Sequence, residues 1–150
     1  PDHGGATRAR KMSEALDCPI AIIDKRRPKP NVAEVMGIIG DVAGKNCVLI
    51  DDMIDTAGTI VAGAQILKEK GAKDVYIACT HGVLSGPAVD RLKDCVAKEV
   101  IITDTIAIPE EKRFDKLVQI SVAELLAYTI ESIENDLPVS DVFQHFDFKG

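Results

Sequence analysis

Two adjacent carboxylates, Asp51 and Asp52, end a short apolar run, Val48-Leu49-Ile50, and Asp55-Thr56-Ala57-Gly58-Thr59 begins two residues later. A helical pattern starts at Ile60. The stretch reads as a buried strand, a tight loop and a helix N-terminus. A helix N-terminus presents unpaired N–H groups and about half a unit of positive charge. Small residues admit a ligand to that backbone, and Thr56 and Thr59 add hydroxyl donors, an arrangement that suits phosphate. Asp51 and Asp52 would repel a phosphate. They suit the hydroxyls beside it, either as hydrogen-bond acceptors or through a bound cation. The combination describes a sugar phosphate, with ribose the obvious candidate. An acidic pair alone is more often a solvated strand end. The acidic pair followed by Asp-Thr-Ala-Gly-Thr is far more specific.

The elements that must position this stretch come from a chain of 150 residues, 46% hydrophobic, which is enough for one domain with a real core. Aromatics are only 4%, so the core is aliphatic. The net charge of −6 argues against general nucleic-acid binding. Residues 7–29 nevertheless hold seven Lys/Arg against three acids, leaving −10 for the rest of the chain. A basic cluster on an acidic protein fits a small polyanion, although such clusters are also found as solvated faces. Cys18, Cys47, Cys79 and Cys95 are widely spaced and read as reduced structural cysteines of a cytoplasmic protein. No apolar run approaches the roughly 18 residues of a membrane span.

In chain order, a helix is predicted over about 5–16 and an all-apolar strand over 19–23. Asp24 to Asn31 should break regular structure as an exposed loop, since it holds two prolines and four basic residues. Residues 32–39 are ambiguous and could be a strand. The central strand should run over about 46–52, with its helix continuing to Lys70 and capped by Gly71. Strands follow at 75–79, 99–103 and 117–120. Helices are predicted at 87–95, with Ser85 as N-cap, and from a capping box at Ser121-Val122-Ala123-Glu124 to about Asn135. Its apolar face is Val122, Leu125, Leu126, Ile130 and Ile133. The tail after Leu137 holds three of the four Phe, which points to packing on another subunit. Alternating strands and helices imply an α/β fold with a doubly wound, mostly parallel sheet and right-handed crossovers. Ligands then bind beyond the C-terminal strand ends, where the loops at Asp24, Asp51 and Thr80 converge.

The chain closely resembles the C-terminal half of the ribose-phosphate diphosphokinases, a family with a phosphoribosyltransferase-like fold. Pro1-Asp2-His3-Gly4-Gly5 with Arg8-Ala9 resembles that family's P-D-x-G-G…R-A segment. Asp24-Lys25-Arg26-Arg27-Pro28 resembles its catalytic loop, Asp51 to Thr59 its ribose-5-phosphate site, and Thr80-His81 with Ser85-Gly86-Pro87 a further segment. The resemblance implies transfer of diphosphate from ATP to the anomeric hydroxyl of ribose 5-phosphate, releasing AMP. It implies Lys25 and Arg27 as catalytic cations on a closing loop, and Asp51 and Asp52 at the ribose hydroxyls. Asp55, Thr56, Ala57, Gly58 and Thr59 would surround the 5-phosphate, and Asp2 would bind Mg²⁺. It further implies a cytoplasmic homo-oligomer, hexameric in the family, with phosphate and ADP as effectors. Ser140 and Phe143 match an effector segment in which Pro138 stands where the family has a hydroxyl donor. His3 and His81 read as structural residues or phosphate donors. The family's chains are about twice as long, so these residues read as one domain whose N-terminal partner half is absent, with little activity alone. Two alternatives stay open: a phosphoribosyltransferase using the same cradle, and a non-catalytic regulatory subunit. A dinucleotide-binding domain is disfavoured, because no G-x-G-x-x-G follows a strand.

Overall fold

The computed structural model describes residues 3–26 and 35–146. Helix α1 spans His3–Ala15 and is followed by strands β1 (Ile22–Arg26) and β2 (Val35–Ile39). β3 (Asn46–Ile54), α2 (Gly58–Glu69), β4 (Asp74–Gly82), α3 (Ala88–Asp94), β5 (Glu99–Thr103) and β6 (Leu117–Ile120) then alternate. Helices α4 (Ala123–Glu134) and α5 (Ser140–His145) close the described chain. Strands β3 to β6 form one parallel sheet in the order β3-β4-β5-β6, while β1 and β2 form a separate antiparallel ribbon. The expected α/β fold, with a parallel sheet and flanking helices, is present.

The core lies between this sheet and helices α2 and α3. Val75, Ile77 and Cys79 on β4 alternate with half-buried neighbours, and Val100 and Ile102 repeat the pattern on β5. That period-2 pattern is the signature of one covered sheet face. Ala64 and Leu67 of α2, with Ala88 and Leu92 of α3, complete the cluster. A buried Leu contributes roughly 1.5–3 kcal/mol relative to its exposed state, so Leu92, fully buried, is a principal contributor. α2 ends in a Schellman motif: Ala72 N–H donates to Leu67 O and Gly71 N–H to Lys68 O, both at 3.0 Å. Gly71 takes φ +88, which only glycine adopts without strain.

Several boundaries differ from expectation. The strand predicted at 19–23 begins instead at Ile22 and continues through Lys25 and Arg26, inside the stretch expected to be a loop. Its partner decides this, because the ladder pairs Ile22 with Ile39 through to Arg26 with Val35. A two-stranded ribbon covers little of its own surface, and Ile22 and Ile39 are exposed. β4 runs on to Gly82, three residues past its predicted end, because β3 offers Met53 and Ile54 as partners for His81 and Gly82. Pro87, not Ser85, occupies the N-cap of α3. Glu124 closes no capping box on α4. Asp104 instead accepts the Val122 N–H at 2.8 Å, and Ser121 Oγ accepts that of Ala123 at 3.2 Å. The apolar face predicted for α4 is open in this chain, with Leu126, Ile130 and Ile133 each more than half exposed.

Candidate functional site

β3 carries Asp51 and Asp52 toward the C-terminal edge of the sheet, where Asp51 pairs with Cys79 of β4. Arg8, from α1, reaches both acids. Its Nη1 lies 3.3 Å from Asp51 Oδ1 and its Nη2 3.1 Å from Asp52 Oδ2. Asp51 Oδ1 also accepts the Asp52 N–H at 2.9 Å, and Asp52 Oδ1 accepts the Met53 N–H at 3.0 Å. Burial pushes the Asp51 carboxyl above the ordinary carboxylate range, and Arg8 works against that rise. The hydrogen bond with Asp51 pulls Asp52 the other way. One guanidinium thus holds two carboxylates of unequal acidity side by side.

The loop from Asp55 to Ala57 turns the chain into α2. Ala57 takes φ 61, ψ 0, the left-handed region, which costs a residue with a Cβ roughly 1–2 kcal/mol. Gly58 is the first helical residue, and α2 has no side-chain N-cap. Among the described residues, no hydrogen bond engages the N–H groups of Ala57, Gly58 or Thr59. Gly58 and Thr59 are exposed. Ala57 is buried, so the N–H groups of Gly58 and Thr59 are the ones open to an anion, with the α2 dipole behind them. Asp51 and Thr59 stand at the rim of a cavity of about 140 Å³, otherwise lined mainly by apolar residues such as Ala6, Ala9 and Ile23.

Asp51, Asp52 and residues 55–59 are thus contiguous at one strand-to-helix junction. Lys25 lies in β1, its backbone opposite Met36. Asp2 and Arg27 lie outside the described residues. Ser140 and Phe143 sit elsewhere, exposed on α5, which packs against α4. Three features depend on contacts between residues far apart in sequence. Arg8, a member of the basic cluster and of a motif, is the counter-ion of the acids. Arg91 Nη1 donates to Thr56 O at 2.9 Å from behind the loop. Thr103 and Thr105 donate to Thr80 O at 2.7 and 3.0 Å, and Thr105 Oγ1 and His81 Nδ1 are hydrogen-bonded at 2.9 Å. Thr80 and His81 stand in a segment that the sequence singles out, whereas Thr103 and Thr105 flank Asp104 at a strand end with no such signal.

Fold and site define a parallel α/β domain with a carboxylate pair and an uncapped helix N-terminus at the strand ends. The chain belongs to the family described as phosphoribosyl synthetase-associated domain, whose sequence model matches residues 2–144. It is 59% identical over 143 residues to a ribose-phosphate pyrophosphokinase of Bacillus caldolyticus, covering 95% of this chain and 45% of that protein. A ribose-phosphate pyrophosphokinase of Clostridium acetobutylicum is likewise 59% identical over 144 residues, 96% of this chain and 45% of that one. Among solved structures, a phosphoribosylpyrophosphate synthetase from Mycobacterium smegmatis matches with TM-score 0.76 and 47% identity, covering 86% of this chain and 42% of that one. The chain therefore spans less than half the length of the relatives it matches.

Proposed function

We propose that this chain supplies the sugar-phosphate site and catalytic-loop cations of a ribose-phosphate diphosphokinase. Such an enzyme transfers diphosphate from ATP to the C1 hydroxyl of ribose 5-phosphate, giving phosphoribosyl diphosphate and AMP. One observation carries the reading. The Arg8-held pair Asp51–Asp52 stands directly before a loop whose Ala57, Gly58 and Thr59 N–H groups have no partner among the described residues. We assign the chain to the C-terminal half of the longer relatives, because the Asp51–Thr59 segment resembles that family's ribose-5-phosphate site.

The 5-phosphate sits on residues 55–59, with the Thr56 and Thr59 hydroxyls as added donors. Asp51 and Asp52 accept from the ribose hydroxyls and so fix the ring. The C1 oxygen then attacks the β-phosphorus, the bond from that phosphorus to the α-phosphate oxygen breaks, and AMP leaves. The hydroxyl proton passes to solvent. Such transfer depends on positioning and charge neutralisation. Lys25 supplies a compact charge and Arg27 a planar fork for two phosphate oxygens. Mg²⁺ would add neutralising charge between the ATP phosphates and one or two carboxylates, with Asp2 the proposed ligand; hard carboxylate oxygens are the donors it takes. We further assign Ser140 and Phe143 to effector binding, and the enzyme to a cytoplasmic homo-oligomer. Exposed Leu126, Ile130 and Phe143 are the residues an assembly would cover. No helix among the described residues is long and apolar enough to cross a membrane.

Titration of the isotopically labelled chain with ribose 5-phosphate tests the site. Amide shifts should concentrate at residues 56–59, and ribose without phosphate should leave them unmoved. Shifts confined to other residues would remove the cradle from the argument. AMP production from ATP and ribose 5-phosphate by the full-length enzyme tests the reaction.

A further inference from the structure

Three successive carbonyls, from the last residue of β3 into the loop, are bonded to one segment, residues 83–91. Ile54 O accepts the Val83 and Leu84 N–H groups at 3.0 Å, and Asp55 O accepts that of Ser85 at 2.9 Å. Thr56 O accepts from Arg91 Nη1 at 2.9 Å. In a trans peptide the carbonyl and the following N–H point in opposite directions. Tying these carbonyls to residues 83–91 therefore sends the N–H groups of Asp55, Thr56 and Ala57 to the opposite side. Arg91 holds the last of the three, at the peptide leading into Ala57, whose φ of 61 is unfavourable for a residue with a Cβ. It also sits close to the next residue. A Cβ added at Gly58 would lie 3.3 Å from Arg91 Nη1, so the guanidinium fills the space a side chain would occupy.

We propose that Arg91, on α3, is a positioning residue for the anion cradle. It latches the Thr56 carbonyl from behind and keeps Ala57 left-handed, and in this way orients the Ala57 N–H and the entry into α2, where the Gly58 and Thr59 N–H groups follow. Arg91 does not contact the anion. Its effect passes through the backbone, so a glycine at position 57, which adopts this φ without penalty, should replace much of what Arg91 does. The functional arm of this inference rests on residues 55–59 binding a sugar phosphate. The structural arm does not.

The test uses the whole 150-residue chain with the variants R91Q, A57G and R91Q/A57G. Amide hydrogen exchange is read without ligand, and ribose 5-phosphate affinity is read by calorimetry at low and high salt. R91Q should speed exchange at Ser85 and Val61 by about fivefold, as expected for loss of one hydrogen bond. It should weaken ribose 5-phosphate binding by a similar factor, with little dependence on salt. Adding A57G to R91Q should restore most of both losses. Unchanged exchange in R91Q overturns the latch. So does an affinity loss that salt abolishes and A57G leaves in place, because Arg91 would then act as a charge. If the unaltered chain binds no ribose 5-phosphate while R91Q still speeds exchange and A57G still restores it, the latch stands and the sugar-phosphate reading fails.

Discussion

Arg8 Nη1 of α1 lies 3.3 Å from Asp51 Oδ1 of β3, and its charge partly offsets the rise in pKa that burial gives this carboxyl. The ionised carboxylate accepts a ribose hydroxyl more strongly than the protonated acid does. Ribose 5-phosphate affinity should therefore fall on acidification at a pH above the ordinary carboxylate value, and R8Q should move that fall to higher pH. The sugar's own phosphate titrates near pH 6, so the affinity ratio to D51N isolates the carboxylate. A ratio that does not vary with pH would exclude Asp51 from the hydroxyl contact.

The same pair makes a stability prediction. A carboxyl whose pKa is raised on folding contributes stability that is complete below its unfolded value, about 3.9, and is lost as pH rises through the folded value. R8Q raises the folded value further. Its loss of stability in urea should accordingly be larger at pH 7 than below pH 4. An equal loss at both pH values would mean that Arg8 acts through packing of its stem alone.

Lys25 tests the catalytic assignment. In the full-length enzyme, K25A should abolish most AMP formation and leave ribose 5-phosphate affinity within about twofold, because the lysine meets charge that develops only during transfer. Equal loss of activity and affinity would make the lysine a binding or folding residue instead.

The cysteines should separate by chemistry. Burial pushes the Cys79 thiol up to about 11, and its Sγ–H donates to His81 O at 3.5 Å. Burial raises Cys47 as well, whereas Cys18 is exposed. The thiolate is the reactive form. Alkylation of the folded chain at pH 7.5, read by mass spectrometry, should mark Cys18 first and Cys79 last. Early labelling of Cys79 would show that the β4 edge opens readily.

What the sequence disclosed was local, and what it hid was long-range. The β3–loop–α2 junction was legible because its signals are contiguous: an apolar run, two acids, then small residues opening a helix. Arg8 and Arg91 were hidden because their partners lie 43 and 35 residues away. The α4 cap departs from the capping-box pattern for the same reason, since the acceptor of the Val122 N–H is Asp104, 18 residues back. Strand β1 was displaced toward Arg26 because its ends are set by pairing with β2, about which its own residues say nothing.

That distinction between local and long-range packing also predicts how substitutions divide. Leu92 is fully buried against the sheet, while Ile130 on α4 is 61% exposed. In the 150-residue chain, L92A should cost roughly 2–5 kcal/mol by denaturant unfolding, and I130A should cost well under 1 kcal/mol, as usual for surface positions. In the proposed full-length oligomer the order should change if α4 is covered there, because Ile130→Ala would then leave a cavity at an interface. I130D should dissociate the assembly in sedimentation experiments while leaving the isolated chain folded. If it unfolds the isolated chain, α4 belongs to the core of this domain and its apolar face has no need of a partner.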